Sequence, residues 1–244
     1  MISGTSLFLD GLDKLLLLWL GLGKVPVVVF FSWFVNWKFS VRRRFIVGAE
    51  PSPGQRRREW RGALLTCSDA LLLVLVAYVG WIRLEAPTVT NVVVSIAAMI
   101  LWVDLWMYWT HRWMHRSKRL WAIHRHHHLS RLAEPSTALS FSAAEKLVFY
   151  TAGWIGGACV LSWFIPMSLG GITAYYTLYF VLSCFGHCNT VYFKERWIIP
   201  SPAVHALHHW KPSVNFGFYT TIYDRMFGTY ASPGLVLDAR ESHK

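Results

Sequence analysis

The chain of 244 residues is too apolar for an ordinary soluble domain, because 54% of its residues are hydrophobic, only 15% are charged and its mean hydropathy is +0.34. Its formal net charge of +11 is compatible with nucleic-acid binding, but the basic residues accompany no nucleic-acid reading motif. We therefore expect a single membrane domain over residues 1–244 and no nucleic-acid partner.

The predicted membrane spans come first along the chain. Segments that approach the roughly 20 apolar residues needed to cross a bilayer cover residues 15–36, 63–82, 91–110, 147–165 and 168–186. Pro166 and the Ser-Leu-Gly-Gly after it mark either a tight turn between the last two spans or a break within one re-entrant pair. The pattern predicts an all-α integral membrane bundle of four to five spans with a histidine-rich helical cap.

The basic residues predict which side of the membrane this cap occupies. Of the 24 Lys and Arg residues, 21 lie in residues 38–62, 111–146 and 187–244, which share one side if every span crosses. Cytoplasmic loops carry an excess of Lys and Arg, so we expect the cap in the cytoplasm. The compact chain shows no evident retrieval signal, which favours a bacterial inner membrane over the endoplasmic reticulum.

Histidines cluster in four short stretches after or between the later spans. His111 and His115 continue the third span and share a helical face with Asp104 and Tyr108. Two of the stretches, residues 124–128 and 205–209, each place three histidines at i, i+3 and i+4. A single histidine, His187, lies between these two stretches. These further candidate ligands are His124, His127, His128, His187, His205, His208 and His209. His126 points away from its neighbours' face and is not a candidate.

Nine imidazoles exceed what one ion can accept, so the pattern predicts two metal ions. Neutral imidazole is the commonest nitrogen ligand for first-row metals. A structural zinc site would close with four ligands, often including cysteine, so this set argues against a purely structural ion. Iron suits an imidazole-rich site with open positions, with zinc as a possible replacement. Metal storage or sensing remains an alternative.

Two aspartates lie inside predicted spans, where an ionisable side chain is costly unless it faces a polar interior. Asp104 precedes His111 by two helical turns, and we expect it to orient a ligand ring through the second ring nitrogen. For Asp69 the expectation is weaker, and pairing with a nearby Arg or capping of the helix explains it equally well.

Taken together, the order and spacing of these boxes resemble the fatty acid hydroxylase superfamily, which includes sterol desaturases and C4-methyl sterol oxidases. The similarity covers H-x3-H, H-x2-HH, H-x-N and a second H-x2-HH, followed by "NFG" and "DRMFGTY", and it runs over a histidine-box region at residues 104–230. The resemblance implies a membrane enzyme whose cytoplasmic histidines hold two irons that activate O2 to hydroxylate or desaturate a lipid. It makes the nine histidines ligand candidates and assigns catalytic or supporting positions to Asp104, Tyr108, Asn189, Asn215 and Asp224.

The chain also departs from the pattern of many relatives. Where they carry an Arg and a His-Pro pair, this chain reads "SFSAAE", with Ser140, Ser142 and Ala143 at the apparent equivalents. That difference weakens any inference about which lipid is the substrate. Some relatives carry a fused cytochrome domain, and no such domain is recognised in this sequence. The resemblance therefore implies that electrons come from a separate donor protein. The basic face could attract an acidic donor, although membrane topology and anionic headgroups explain the same charges.

Several alternatives stay open from sequence alone. Hydroxylation and desaturation use the same predicted site, and a non-redox metal-dependent lyase or hydrolase would use the same ligands. A metal transporter would place coordinating groups inside several spans, whereas these histidines gather beyond the span ends. Five tryptophans near the site either line an acyl tunnel or, more commonly, form the aromatic belt at the membrane surface. They are Trp102, Trp106, Trp109, Trp113 and Trp121.

Overall fold

The computed structural model describes residues 11–38, 45, 51–66 and 68–234, and these residues form helices joined by turns and loops. The first six helices are α1 (Gly11–Leu22), α2 (Lys24–Lys38), α3 (Pro53–Thr66), α4 (Ser68–Tyr78), α5 (Val89–Arg116) and α6 (Lys118–His128). A 3-10 turn (Pro135–Leu139) and α7 (Ala143–Glu145) lead into a π-helix (Lys146–Gly156). The last helices among the described residues are α8 (Gly157–Leu161), α9 (Leu169–Gly186), α10 (Pro202–Trp210) and α11 (Ile222–Met226).

The all-helical membrane fold predicted from the sequence is confirmed. The number of candidate spans is three or four, compared with the four to five predicted. Among the described residues, three helices are long and apolar enough to cross a membrane: Pro53–Tyr78, Val89–Arg116 and Leu169–Gly186. A fourth candidate is the pair Asp13–Leu22 and Lys24–Phe34, which is bent by 48° and forms either a broken span or a re-entrant loop. The span predicted at 147–165 is instead the π-helix followed by the short α8, and it is not among these candidates.

Helix α5 is long enough to carry its last turns out of the bilayer. It runs for 28 residues from the N-cap Thr88, whose side chain accepts a hydrogen bond from the amide of Asn91. At about 1.5 Å per residue the helix spans about 42 Å, whereas the hydrocarbon core is about 30 Å thick. A helix of this length can therefore cross the apolar layer and still carry the turn that bears His111 and His115 to one of its boundaries.

The π-helix packs against α5 through two tryptophans. The indole nitrogen of Trp102 donates to the carbonyl of Gly153 at 2.9 Å, and that of Trp106 donates to the carbonyl of Phe149 at 2.8 Å. A Cβ atom on Gly153 would lie 2.6 Å from the Trp106 ring, so only glycine permits this approach. These two tryptophans are therefore packing residues, while Trp109 and Trp113, which are 46% and 60% exposed, suit the aromatic belt.

A buried ionic network ties the first helices to the rest of the bundle. Asp69 in α4 lies between Lys24 at the start of α2 and Lys146 at the start of the π-helix, and it contacts both ammonium groups. It also accepts hydrogen bonds from Tyr176 of α9, at 2.6 Å, and from Thr151. Asp69 thus pairs with two lysines rather than with an arginine, and one carboxylate joins four helical segments.

Candidate metal centre

Helix ends bring the nine candidate histidines together. His111 and His115 lie in the last turns of α5, the next three lie in the last turns of α6, His187 caps the C-terminus of α9, and the last three lie in α10. Ser117 joins α5 to α6 by ending the first helix and capping the second, so that α6 folds back beside the end of α5. All nine rings are buried or half-buried.

The rings form two groups, in each of which one ligand atom per residue lies within 4.8 Å of all the others. The five-histidine group consists of His111, His115, His124, His128 and His208. Its Nε2 atoms face one another. The Nε2 of His111 is 3.1 Å from that of His124 and 3.3 Å from that of His115, and the Nε2 of His128 is 3.2 Å from that of His208.

The four-histidine group consists of His127, His187, His205 and His209. Its Nε2 atoms are similarly spaced: that of His187 is 3.4 Å from that of His127 and 3.0 Å from that of His205. The two groups are adjacent, because the His127 and His128 rings come from consecutive residues and have centroids 5.6 Å apart. The structure therefore brings together all nine predicted ligands in two neighbouring sites.

The outer ring nitrogens hold four of these rings to backbone carbonyls. Nδ1 of His111 donates to the carbonyl of Phe216 at 3.0 Å, and Nδ1 of His208 donates to the carbonyl of Val214 at 2.7 Å. In the four-histidine group, His127 and His187 donate through Nδ1 to the carbonyls of Ser140 and Ser183. A carbonyl only accepts, so Nδ1 carries the proton and Nε2 keeps its lone pair.

Inward-facing lone pairs fit metal ions. Nitrogens about 2.1 Å from one ion stand about 3.0 Å apart in an octahedron and about 3.4 Å apart in a tetrahedron, which matches the spacings in both groups. Without an ion these lone pairs would repel one another. His209 adds a second indication, because both of its buried ring nitrogens lack a hydrogen-bond partner among the described residues. The donor set is all nitrogen, which suits iron, zinc or another first-row metal.

Burial keeps the rings outside the spans in the neutral form that binds metal. Desolvation lowers the pKa of His187 to about 4 and lowers the pKa of His124, His127, His205 and His209 well below the ordinary value. Neutral imidazoles need no proton release before they accept a cation.

The loop between α10 and α11 positions two ligands through its backbone. Asn215 adopts a positive φ of 59°, and its amide side chain bonds to the backbone of Val204 and Ala231. Asp224 accepts hydrogen bonds from the amides of Phe216 and Gly217, at 2.9 and 2.6 Å. This loop supplies the carbonyls that hold His111 and His208, so Asn215 and Asp224 act on the ligands indirectly.

The contacts of Asp104 differ from the prediction that it orients a histidine ring. Its carboxylate accepts hydrogen bonds from the amides of Tyr219 and Thr220 and from the Thr220 hydroxyl. The Nδ1 atom of His111, which Asp104 was expected to contact, bonds instead to the backbone carbonyl of Phe216. Any residue can supply a backbone carbonyl, so the sequence could not identify this partner. It indicated instead a carboxylate on the same helical face, that of Asp104.

The other predicted positions also lie around the site. The Tyr108 hydroxyl accepts from Arg112 at 2.7 Å and lies 3.1 Å from the Thr229 hydroxyl. Asn189 is buried, has a positive φ of 45° and accepts at its carbonyl from the amide of residue 45. Asparagine tolerates this backbone region better than most residues. His126 belongs to neither group, in agreement with its exclusion.

Glu145 is a site residue that sequence reasoning missed. Its Oε1 lies 2.6 Å from Nδ1 of His124, and both side chains are fully buried. It follows Ser142, whose hydroxyl accepts from the Glu145 amide and caps α7. The signal was the spacing of serine and glutamate in "SFSAAE", which marks a helix start, but that pattern does not place the carboxylate next to a ligand.

Cavities border both groups of histidines. An open cavity beside the five-histidine group is lined by His115, Arg116, Trp121 and Ser213 among others. The four-histidine group borders two mostly apolar cavities that share His205, Gly217 and Phe218, and the inner of these cavities also touches His111 of the five-histidine group. Trp121 lines the open cavity beside the five-histidine group, together with Arg116.

Comparisons with known proteins agree with this arrangement. The chain is 28% identical over 138 residues to a very-long-chain aldehyde decarbonylase from Oryza sativa, a match that covers 52% of this chain and 21% of the relative. It is 26% identical over 242 residues to a Delta(7)-sterol 5(6)-desaturase from Aspergillus fumigatus, covering 89% of this chain and 75% of the relative. The chain thus matches about a fifth of the length of the rice relative. No match was found among the solved structures.

A sequence profile of the fatty acid hydroxylase family matches residues 96–229, which include all nine histidines and Glu145. The matched region is more than half of the chain and begins within α5, shortly before the first ligand. The resemblance seen in the histidine boxes is therefore confirmed, and the chain belongs to the fatty acid hydroxylase family.

Proposed function

We propose that the protein is an oxygen-dependent hydroxylase that uses two iron ions to oxidise an alkyl carbon of a membrane lipid. The observation that carries the proposal is the convergence of nine imidazole rings in two adjacent groups while several Nδ1 atoms are tied to carbonyls or to Glu145. Membership of the family supports a redox reaction on a lipid.

Each group would hold one ion. When bound, two ferrous ions supply the reduction of O2 that replaces a C–H bond by C–OH and releases water, with two electrons and two protons taken up. The protein's own part is to fix the ligands, to exclude water from the buried rings and to bring an alkyl chain close to the ions. A misplacement of about 1 Å at such a site alters rates strongly, which is why the rings need their second contacts.

A desaturase is the second candidate, because the fungal relative is a sterol desaturase and aligns over 89% of this chain. Loss of a second hydrogen would give an alkene in place of the alcohol, and the same ligands would serve. The rice relatives suggest a further outcome, the removal of the carbonyl carbon from a long-chain aldehyde.

The electrons would come from a separate protein that docks beside the five-histidine group. The open cavity there is bordered by Arg116 and reaches His115, and Lys211 is exposed near its rim residue Pro212. Positive charge at this position favours an acidic donor by electrostatic steering. The same charges favour a cytoplasmic position of the site under the positive-inside rule.

The test is lipid mass spectrometry on cells that express the wild-type chain or a His127→Ala variant. A lipid heavier by one oxygen atom only with the wild type supports hydroxylation. A lipid lighter by two hydrogen atoms supports the desaturase, and a hydrocarbon one carbon shorter than its aldehyde supports decarbonylation. Identical lipids in both cultures, together with purified wild-type protein that binds no iron, would reject the proposal.

A further inference from the structure

One face of α3 is exposed and carries two arginines. Arg57, Trp60, Arg61 and Leu64 follow one another at i, i+3, i+4 and i+7, so they share a helical face, and each of them is exposed. Among the described residues, no hydrogen bond or ion pair joins Arg57 or Arg61 to another side chain. The acidic residue of this helix, Glu59, lies on the opposite face and is fully buried. The exposed face is therefore basic, and its own helix supplies no neutralising carboxylate there.

This exposed face lies where α3 enters a candidate membrane span. The span runs over Pro53–Tyr78, and three consecutive apolar residues, 63–65, follow shortly after Arg61. Trp60 is 45% exposed and Leu64 is 75% exposed. An exposed tryptophan beside the start of an apolar run is typical of the boundary between bilayer and water. Basic residues directly next to a span attract the headgroups of anionic lipids. We therefore expect both arginines at the level of the headgroups.

The opposite face of α3 holds the loop of residues 129–140, which follows α6 and includes the 3-10 turn. Nε2 of Gln55 donates to the carbonyl of Leu132 at 3.0 Å. A Cβ atom on Gly62 would lie 1.5 Å from the carbonyl oxygen of Leu139, so only glycine permits this approach. The helix therefore contacts this loop at two separate points along its buried face.

The same loop is attached to the metal centre at both ends. It begins at Leu129, directly after the ligand His128, and the Leu129 carbonyl accepts a hydrogen bond from the Arg58 guanidinium of α3 at 3.3 Å. It ends at Ser140, whose carbonyl accepts from Nδ1 of the ligand His127 at 3.3 Å. A force that holds α3 in place therefore also restrains the segment that positions these two rings.

We propose that the exposed face of α3 binds the headgroups of anionic phospholipids and that this contact stabilises the 129–140 loop beside the metal centre. The partner is a lipid rather than an acidic protein, because Trp60 and Leu64 add apolar surface to the arginines, and such surface enters a bilayer. The inference goes beyond the proposed function, since it concerns how the surrounding membrane acts on the centre, whichever reaction occurs there.

The first measurement is photolabelling of the full chain in phosphatidylcholine nanodiscs that contain a trace of a lipid with a diazirine near the ester end of one acyl chain. In the wild type we expect more adduct at Trp60 from phosphatidylglycerol than from phosphatidylcholine. Arg57→Gln combined with Arg61→Gln should lower this preference about 25-fold, because each arginine near an anionic surface contributes about a factor of five. Lys118→Gln combined with Arg119→Gln removes two exposed charges from the start of α6 and should leave the preference unchanged.

The second measurement is amide hydrogen exchange of the 129–140 loop in the same proteins. Nanodiscs with about one third phosphatidylglycerol should slow exchange in the wild type about fivefold compared with phosphatidylcholine alone, because a favourable contact on α3 opposes local opening of the loop. The slowing should disappear when Arg57 and Arg61 are both replaced by Gln. It should persist in the variant altered at Lys118 and Arg119.

Two results would overturn the proposal: equal adducts at Trp60 from the two lipids, or preferential labelling with loop exchange that does not respond to phosphatidylglycerol. If the variant altered at Arg57 and Arg61 fails to insert, competition in the wild type decides. Excess unlabelled phosphatidylglycerol must then suppress the adduct more than the same excess of phosphatidylcholine, and equal suppression overturns the proposal. Neither measurement uses lipid oxidation, so a lack of oxidised lipid counts against the hydroxylase and leaves the headgroup site standing.

Discussion

Nδ1 of His124 lies 2.6 Å from Oε1 of Glu145, and neither side chain is exposed to solvent. Four other rings also make contacts through Nδ1, and each of them contacts a backbone carbonyl. Of these five rings, only His124, in the five-histidine group, contacts a carboxylate. A carboxylate at this position makes the imidazole a stronger donor to a metal and fixes its orientation. The two histidine groups should therefore differ in the affinity with which they hold a metal ion and in the electronic character of that ion.

Substitution of Glu145 tests this difference. Glu145→Ala should lower metal affinity at the five-histidine group by about 10- to 100-fold, while Glu145→Gln should cost less because its amide oxygen still accepts from Nδ1. Iron titration would follow the affinity, and Mössbauer spectra of protein loaded with iron-57 would resolve the two sites. Glu59→Gln is the control, since Glu59 is equally buried but bonds to Gln55, Ser136 and Thr137. An equal effect on both iron signals would contradict a specific role.

Removal of one ligand from each group should affect different ions. His208→Ala removes a ligand from the five-histidine group and His127→Ala removes one from the four-histidine group, and each should abolish lipid oxidation. Metal analysis should show loss from the altered group, while both variants remain in the membrane fraction. His126→Ala is a matched control on the same helix and should keep metal and activity. Full metal content in either ligand variant would reject the assignment.

Asp224 should matter through the loop that it holds. Asp224→Asn places an amide group against backbone N–H donors, and an unsatisfied buried donor costs about 1–3 kcal/mol. The Phe216 carbonyl would lose its position beside His111, so we expect lower thermal stability together with weaker metal retention. Thermal unfolding and metal release can be followed in the same samples. Glu85→Gln, an exposed carboxylate, should change neither quantity.

The metal-free protein should become less stable as the pH falls below about 6.5. Burial lowers the pKa of His187 from 6.5 to about 4 in the folded state. Between these values the unfolded chain binds a proton that the folded chain excludes, so the free energy of unfolding decreases as the pH falls through this window. Melting temperatures of chelator-treated protein from pH 7 to pH 4 would measure the effect. A constant melting temperature over this range would contradict neutral buried rings.

Sequence periodicity predicted which histidines would lie together, because histidines at i, i+3 and i+4 must share a helical face, and the structure brings all nine into two groups. It could not divide the nine residues between the two groups, since that division depends on how α5, α6, α9 and α10 meet. Glu145 was missed because a buried carboxylate looks like a helix cap in sequence. The role of Asp104 was misjudged because the true partner of His111 is a backbone carbonyl, which any residue can supply. The π-helix escaped prediction because the residues of that segment are equally compatible with an ordinary span.

The network of Lys24, Asp69 and Lys146 has a consequence for biosynthesis. A charged side chain near the middle of an isolated helix costs about 3 kcal/mol on insertion scales, and Asp69 lies within a candidate span. That cost is relieved only when the two lysines and Tyr176 arrive from other segments of the chain. The early helices should therefore remain beside the insertion machinery until α9 has been synthesised, and the segments should then move into the lipid together.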